Sequence, residues 1–314
     1  LLTKREVKIS PVPFSTIEPN IAQTSVLDER LDQICEIVKP EKKTYAKIEF
    51  VDVAGLIEGA HKGEGLGNEF LAHLKPCDAL LQVIRGFERE EVKNFLGEIN
   101  PQKEIEVIKT ELLMKDFEIV ERTIEKEKKN SKKREVLEKI REGLARGIEI
   151  KNLKLDKEEI ASIKEFQFLT LKPILYLLNG NLKKIPPIPN LLVLDLQMEQ
   201  ELLKLSEKEK EELGIESGIE RLIQQCCQIL NLVSFYTIAK KKEAKAWLLE
   251  KGSKIEKAAE KIHSDFVKFI KAEVLNFEKL LEIKDWQKAK EKGLIQIVGR
   301  DYIVKDGDII EFKI

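Results

Sequence analysis

The sequence predicts an α/β protein: a mostly parallel sheet covered by helices, interrupted by an inserted helical hairpin and followed by a small α+β domain. Three observations lead there. Four short runs rich in branched aliphatic residues alternate with helical patterns, two long apolar stripes flank a polar turn, and the final stretch returns to strand-like alternation.

The four runs cover residues 48–53, 79–84, 174–178 and 191–196, and each is followed by polar or glycine-containing chain. Runs this apolar suit strands buried on both faces, as in parallel sheets. In that architecture, chemistry gathers in loops at the carboxyl ends of strands. Between the second and third runs, residues 104–154 read as a helical hairpin. Ile105, Ile108, Leu112, Ile119, Val120 and Ile124 form one stripe, and Val136, Leu137, Ile140, Leu144 and Ile148 form the other. Asn130 and Ser131 mark the turn, and Lys126, Lys128, Lys129, Lys132, Lys133 and Arg134 make its tip basic. Such a tip is ordinarily a solvated helix end; contact with RNA is the sharper alternative.

A helix is expected over 220–230, strands over 232–238 and 244–249, a helix over 254–270, and short strands at 295–298, 302–304 and 309–314. Asp306-Gly307 between two alternating runs predicts a hairpin turn. The division expected is therefore 1–100 with 166–230 as one domain, 101–165 as the hairpin and 231–314 as the small domain.

Charge and cysteine usage narrow the function classes. Lys and Arg number 55 against 56 Asp and Glu, so nothing global calls for DNA or an anionic membrane, and any basic surface is local. Cys35, Cys77, Cys226 and Cys227 lack zinc or disulfide spacing, which suits reduced thiols in the cytoplasm. No run approaches the roughly 18 to 20 apolar residues of a membrane span. Residues 1–5, Leu-Leu-Thr-Lys-Arg, are neither a signal peptide nor a Met start, so a soluble chain trimmed at its front is expected.

The most informative chemistry lies at Asp52-Val53-Ala54-Gly55-Leu56, followed by glycines 59, 63, 65 and 67. Asp52 ends a strand, where a carboxylate can hold magnesium through water, and a backbone N–H at Gly55 can face a terminal phosphate. This stretch resembles the third nucleotide-binding motif and switch II of the Obg-related GTPases. Residues 63–71, Gly-Glu-Gly-Leu-Gly-Asn-Glu-Phe-Leu, are similar to the YchF branch, the Obg-like ATPases. Residues 13–20 resemble that branch's switch I, 105–112 the start of its helical insertion, and Tyr236-Thr237, Gly252, Ala258-Ala259, 262–266 and 301–308 its C-terminal TGS domain, a β-grasp module. The resemblance runs end to end. It implies a P-loop NTPase-type sheet with a coiled-coil hairpin and a TGS domain.

What the resemblance implies residue by residue is a magnesium ion bound by Thr16 and supported by Asp52, with Gly55 against the phosphate. Leu56 stands where many relatives of Ras carry a water-orienting glutamine, a task its side chain cannot perform. No side-chain catalyst is assigned there. The histidine proposed for this task in the family matches Asn94 here, and His61 is a conceivable substitute. Base recognition falls on Asn179-Gly180-Asn181-Leu182: family relatives have Asn-x-x-Glu and classical GTPases Asn-Lys-x-Asp, so Leu182 removes the carboxylate that takes guanine's N1 and N2 donors. Adenine bound at least as well as guanine is the expectation, with Asn179 meeting the purine and the Gly180 backbone reading its edge. Residues 195–199 stand at the family's fifth motif and depart from its small-residue pattern.

None of the sixteen glycines is followed by lysine, so a Walker A phosphate loop is not among these residues. In the family that loop precedes a segment like residues 1–4, and the chain is expected to begin just after it and to be inactive alone. The function implied is a magnesium-dependent ATP-hydrolysing switch, with GTP a weaker substrate and the ribosome or ribosomal RNA as partner through the TGS domain and Lys128, Lys129, Lys132 and Lys133. The alternative is a non-catalytic RNA- or ribosome-binding scaffold. A dehydrogenase is excluded because glycines 63, 65 and 67 lack dinucleotide spacing, and a zinc protease because H-E-x-x-H is absent.

Overall fold

The structure is a computed structural model that describes residues 20–53, 73–88, 99–128, 131–182, 185, 187–215, 217–239, 242–263 and 271–313. In chain order its first elements are β1 (Asn20–Val26), α1 (Glu29–Val38), β2 (Lys42–Thr44), β3 (Ala46–Asp52), β4 (Leu80–Gly86), α2 (Pro101–Lys126), α3 (Lys132–Ala145), α4 (Lys157–Ile163), β5 (Ile174–Gly180) and β6 (Leu191–Leu194). There follow α5 (Leu196–Leu202), α6 (Glu207–Leu213), α7 (Gly218–Ile229), β7 (Leu232–Ala239), β8 (Glu243–Glu250), α8 (Ile255–Ile262), β9 (Lys271–Asn276), α9 (Phe277–Ile283), α10 (Trp286–Glu291), β10 (Gln296–Val298) and β11 (Asp308–Lys313). Two compact units emerge, one made mainly of residues 51–218 and the other of 23–50 with 219–314.

In the first unit β4, β5 and β6 form a parallel sheet with β5 central, in register from Leu80 opposite Ile174 to Gly86 opposite Gly180. Leu175, Leu177 and Leu178 of β5 are almost fully buried, the reason this run lacks alternation. The hairpin begins at Asn100, whose side chain accepts from Lys103 N at 3.1 Å, with Pro101 in the first helical turn. Its second helix starts at Ser131, which accepts from Arg134 N at 3.1 Å. Leu113, Val120 and Ile124 of α2 pack with Val136, Leu137, Ile140 and Leu144 of α3 in one core, joined by Ile150, Ile163 and Phe168. The second helix is shorter than the stripe suggested: α3 stops at Ala145, and residues 150–152 form a 3₁₀ turn.

The second unit carries a six-stranded sheet in the order β10-β9-β11-β7-β8-β2. The antiparallel pair β7–β8 leads into α8, and β11 then runs parallel to β7 and antiparallel to β9, which is the β-grasp arrangement. Val233, Phe235, Leu249, Ile255, Ala258, Val274 and Ile310 build its core.

Four expectations are corrected here. Asp306-Gly307 does not close a hairpin. Gly307 N donates to Ser234 O at 2.9 Å and Ser234 N donates to an Asp306 carboxylate oxygen at 2.8 Å, so the turn steers β11 into the middle of the sheet beside β7. The helix expected over 254–270 ends at Ile262, where His263 is extended (φ −171°, ψ 149°), and residues 271–276 form a strand that the amphipathic pattern did not reveal. The 48–53 run pairs with β1 in a two-stranded sheet, apart from β4-β5-β6. Residues 23–50, expected with the nucleotide-binding part, join the C-terminal unit because β2 pairs in parallel with β8 through Lys42–Glu243, Lys43–Ala244 and Thr44–Lys245.

Candidate functional site

Asn179 and Gly180 end β5, where a parallel sheet presents its loops. Asn179 Oδ1 accepts from Leu196 N at 3.0 Å, tying the end of β5 to the start of α5. Asp195 caps that helix, its Oδ1 accepting from Gln197 N at 3.0 Å and Met198 N at 3.1 Å. Buried Glu199 then accepts from Ser217 Oγ and Gly218 N, both at 2.7 Å, and so holds the start of α7. The fifth-motif segment, although it departs from small residues, is thus braced by two carboxylates. Gly180 has φ 132°, and a Cβ there would stand 2.4 Å from Gly86 O. Only glycine meets both demands.

The same two strands are clamped to the hairpin. Buried Glu104, in the first turn of α2, accepts from Arg85 N at 3.1 Å, and Gln82 Nε2 donates to Glu104 O at 3.1 Å. Burial raises the Glu104 carboxyl above the usual range against the pull of Arg85. Farther along α2, fully buried Asp116 accepts from Leu169 N at 2.9 Å, Thr170 N at 2.7 Å and Thr170 Oγ1 at 2.7 Å. Thr170 Oγ1 in turn accepts from Ile150 N at 3.2 Å. Burial pushes the Asp116 carboxyl up to about 6 despite those three donors. These two acids were missed in the sequence, although Asp116 carried a signal: it lies between Leu112 and Val120 on the apolar stripe, where an unsatisfied carboxylate is not tolerated.

Asp52 is the exposed last residue of β3, open to water and so able to meet a hydrated cation from a strand end. Thr16, Gly55, Leu56, His61 and Asn94 lie outside the described residues, as does Lys129 at the hairpin tip. Among the described residues no group of three or more His, Cys, Asp or Glu gathers at metal-binding range. Lys128 and Lys132 are exposed. Lys133 is engaged internally: it pairs with Glu165, reaches Glu127 at 3.3 Å and lies 4.8 Å from the centre of the Phe166 ring. Arg134 bonds Glu138 at 2.9 Å and Ile124 O at 2.8 Å. No helix of the described residues is long and apolar enough to cross a membrane.

Comparison with known proteins agrees with this architecture. The family described as 50S ribosome-binding GTPase matches residues 1–142, and the YchF GTPase C-terminal family, described as a protein of unknown function, matches residues 232–314. The chain is 38% identical to the ribosome-binding ATPase YchF of Pasteurella multocida over an alignment of 340 positions, gaps included, covering 99% of this chain and 93% of that protein. It is 39% identical to the protein of the same name from Haemophilus influenzae, with the same coverage. Among solved structures, the Schizosaccharomyces pombe YchF GTPase superposes with a TM-score of 0.81 at 29% identity, covering 96% of this chain and 89% of that one. A parallel sheet ending in Asn179-Gly180, a hairpin clamped to it and a C-terminal β-grasp sheet are matched by relatives along nearly the whole chain: this protein belongs to the YchF family.

Proposed function

We propose that this protein is a ribosome-associated nucleotide hydrolase that uses ATP in preference to GTP and acts as a magnesium-dependent switch. The names of its relatives support ribosome association and nucleotide hydrolysis. The choice of base rests on one observation: the loop after β5 is braced through Asn179 to Leu196 N, while Leu182, three residues on, offers no carboxylate. Guanine's N1 and N2 donors then lack a charged acceptor, and a hydrogen bond to a charged group contributes about 1.5–3 kcal/mol. Adenine loses nothing by that absence. Asn179 uses its carbonyl on Leu196, which leaves its amide as the donor for a purine ring nitrogen. Calorimetric titration of the full-length protein with ATP and GTP in magnesium tests this, and equal or tighter binding of GTP would overturn it.

Leu182→Asp should raise GTP affinity relative to ATP by about tenfold or more, since it restores an acceptor for both guanine donors. An unchanged ratio would place base recognition elsewhere. In this reading Thr16 and Asp52 would hold a magnesium ion, Asp52 through water, and the Gly55 backbone would meet the terminal phosphate. The ion supplies charge neutralisation at the phosphates. Asp52→Asn, and likewise Thr16→Ala, should lower magnesium-dependent turnover by about a hundredfold with unchanged circular dichroism, the scale on which loss of transition-state charge stabilisation acts. Turnover within a few-fold of the parent would remove Asp52 from the site. RNA contact at the arm tip is proposed for Lys128, Lys129 and Lys132; Lys133 joins them only by giving up Glu165 and Glu127.

A further inference from the structure

The segment between the two nucleotide-sensing motifs is built into the C-terminal unit. Leu31 and Ile34 of α1 are fully buried, α1 packs on α9, and β2 extends the β-grasp sheet at its β8 edge. Thr44 Oγ1 donates to Glu243 at 2.5 Å, and Lys42 reaches the same carboxylate at 3.3 Å. A second fastening is electrostatic. Asp28 accepts from Arg30 Nε and Nη2, each at 3.0 Å, and from the Tyr236 hydroxyl at 2.6 Å. Arg30 Nη1 donates to Asp306 at 2.7 Å, and the other oxygen of Asp306 accepts from Ser234 N. The guanidinium therefore bridges two carboxylates, one on its own segment and one on the turn that places β11. Burial pushes the Asp28 carboxyl up, yet the Arg30 and Tyr236 bonds outweigh it and hold the group below the usual range.

We infer that residues 23–50 are the mechanical link by which the nucleotide state reaches the C-terminal sheet, with Arg30 as the positioning residue that fastens the link to Asp306 and Tyr236. The inference rests on the proposed function for the roles of Thr16 and Asp52. Thr16 precedes this segment in the chain and Asp52 follows it, so a change in position at either motif pulls on a segment whose middle is hydrogen-bonded into a sheet. The stiffness of that coupling comes from the strand pairing, and its register from the Arg30 bridge, whose planar fork a lysine cannot reproduce.

The molecule carries its own reporter. Both of its tryptophans, Trp247 and Trp286, lie in the C-terminal unit, and Trp247 sits on β8 with Nε1 donating to Thr237 at 2.9 Å and the Lys245 ammonium 3.7 Å from its ring centre. Tryptophan emission of the full-length protein is to be recorded with and without magnesium and the non-hydrolysable imido analogue of ATP, alongside calorimetry. The expected result is a nucleotide-dependent emission shift in the parent that is lost in Arg30→Met, with analogue affinity retained. Tyr236→Phe, which removes one hydroxyl and little packing, should weaken the shift, and it carries the test if Arg30→Met fails to fold. Binding with no emission change in the parent, or an undiminished shift in the folded variants, overturns the link. Absence of binding heat in the parent overturns the nucleotide reading itself.

Discussion

Asp116→Ala should destabilise the first unit by about 3 kcal/mol or more, because it strands three buried donors at once: Leu169 N, Thr170 N and Thr170 Oγ1. A buried donor left without an acceptor costs about 1–3 kcal/mol, and the three share one site, so their costs do not add in full. Asp116→Asn keeps one acceptor but turns an amide NH₂ toward a backbone N–H, so it should recover only part of the loss. The effect is also pH-dependent, with a definite sign. The carboxyl titrates near 6 in the folded chain and at its ordinary 3.8 when unfolded. Between those values the folded chain holds a proton that the unfolded chain has released, so this group's contribution to stability falls as pH rises and levels off above the folded value. The parent's advantage over Asp116→Ala should therefore shrink by about 1 kcal/mol from about pH 5 to pH 7.5. Urea unfolding at the two pH values measures it, and an advantage that is the same at both would show the carboxylate ionised throughout.

Gly180→Ala should cost about 3 kcal/mol and loosen the end of β5, where base recognition is proposed. The backbone at φ 132° is strained for any L side chain, by about 1–3 kcal/mol. The new methyl would also stand 2.4 Å from Gly86 O and 2.6 Å from Gly86 C, and these are backbone atoms of the paired strand, which no rotamer change can clear. Gly214→Ala is the control. It too has positive φ (63°) but nothing within 4 Å of the added carbon, so it should cost only about 1 kcal/mol. Similar losses at both sites would show that conformation alone, and not the approach of β4 to β5, sets the need for glycine.

Together with the Glu104 and Asp116 clamps, Gly180 makes the hairpin and the end of β5 parts of one packed body. The end of β5 and the hairpin are thus joined through two buried carboxylates and one pair of strands. A rigid connection of this kind transmits displacement rather than damping it. The link at Arg30 is different in kind: a charged bridge and a short parallel pairing, both at the margin of a sheet.

The chain's local chemistry determined a good deal of this. Unbroken apolar runs identified β4, β5 and β6, two stripes identified the hairpin, and Asn130-Ser131 marked its turn, because burial periodicity and turn preference are short-range properties. That Asn179 and Gly180 close a buried strand was legible for the same reason. Strand order was not. That β2 joins β8, that β3 pairs with β1, and that Asp306-Gly307 delivers β11 beside β7 are decided by backbone hydrogen bonds between segments up to two hundred residues apart, and such bonds leave no mark in side-chain pattern. Asp28 and Arg30 carry no signal in the sequence, and Asp306 reads there only as part of a turn. Only when the sheet is assembled do they meet, and the bridge they form is a product of the tertiary structure.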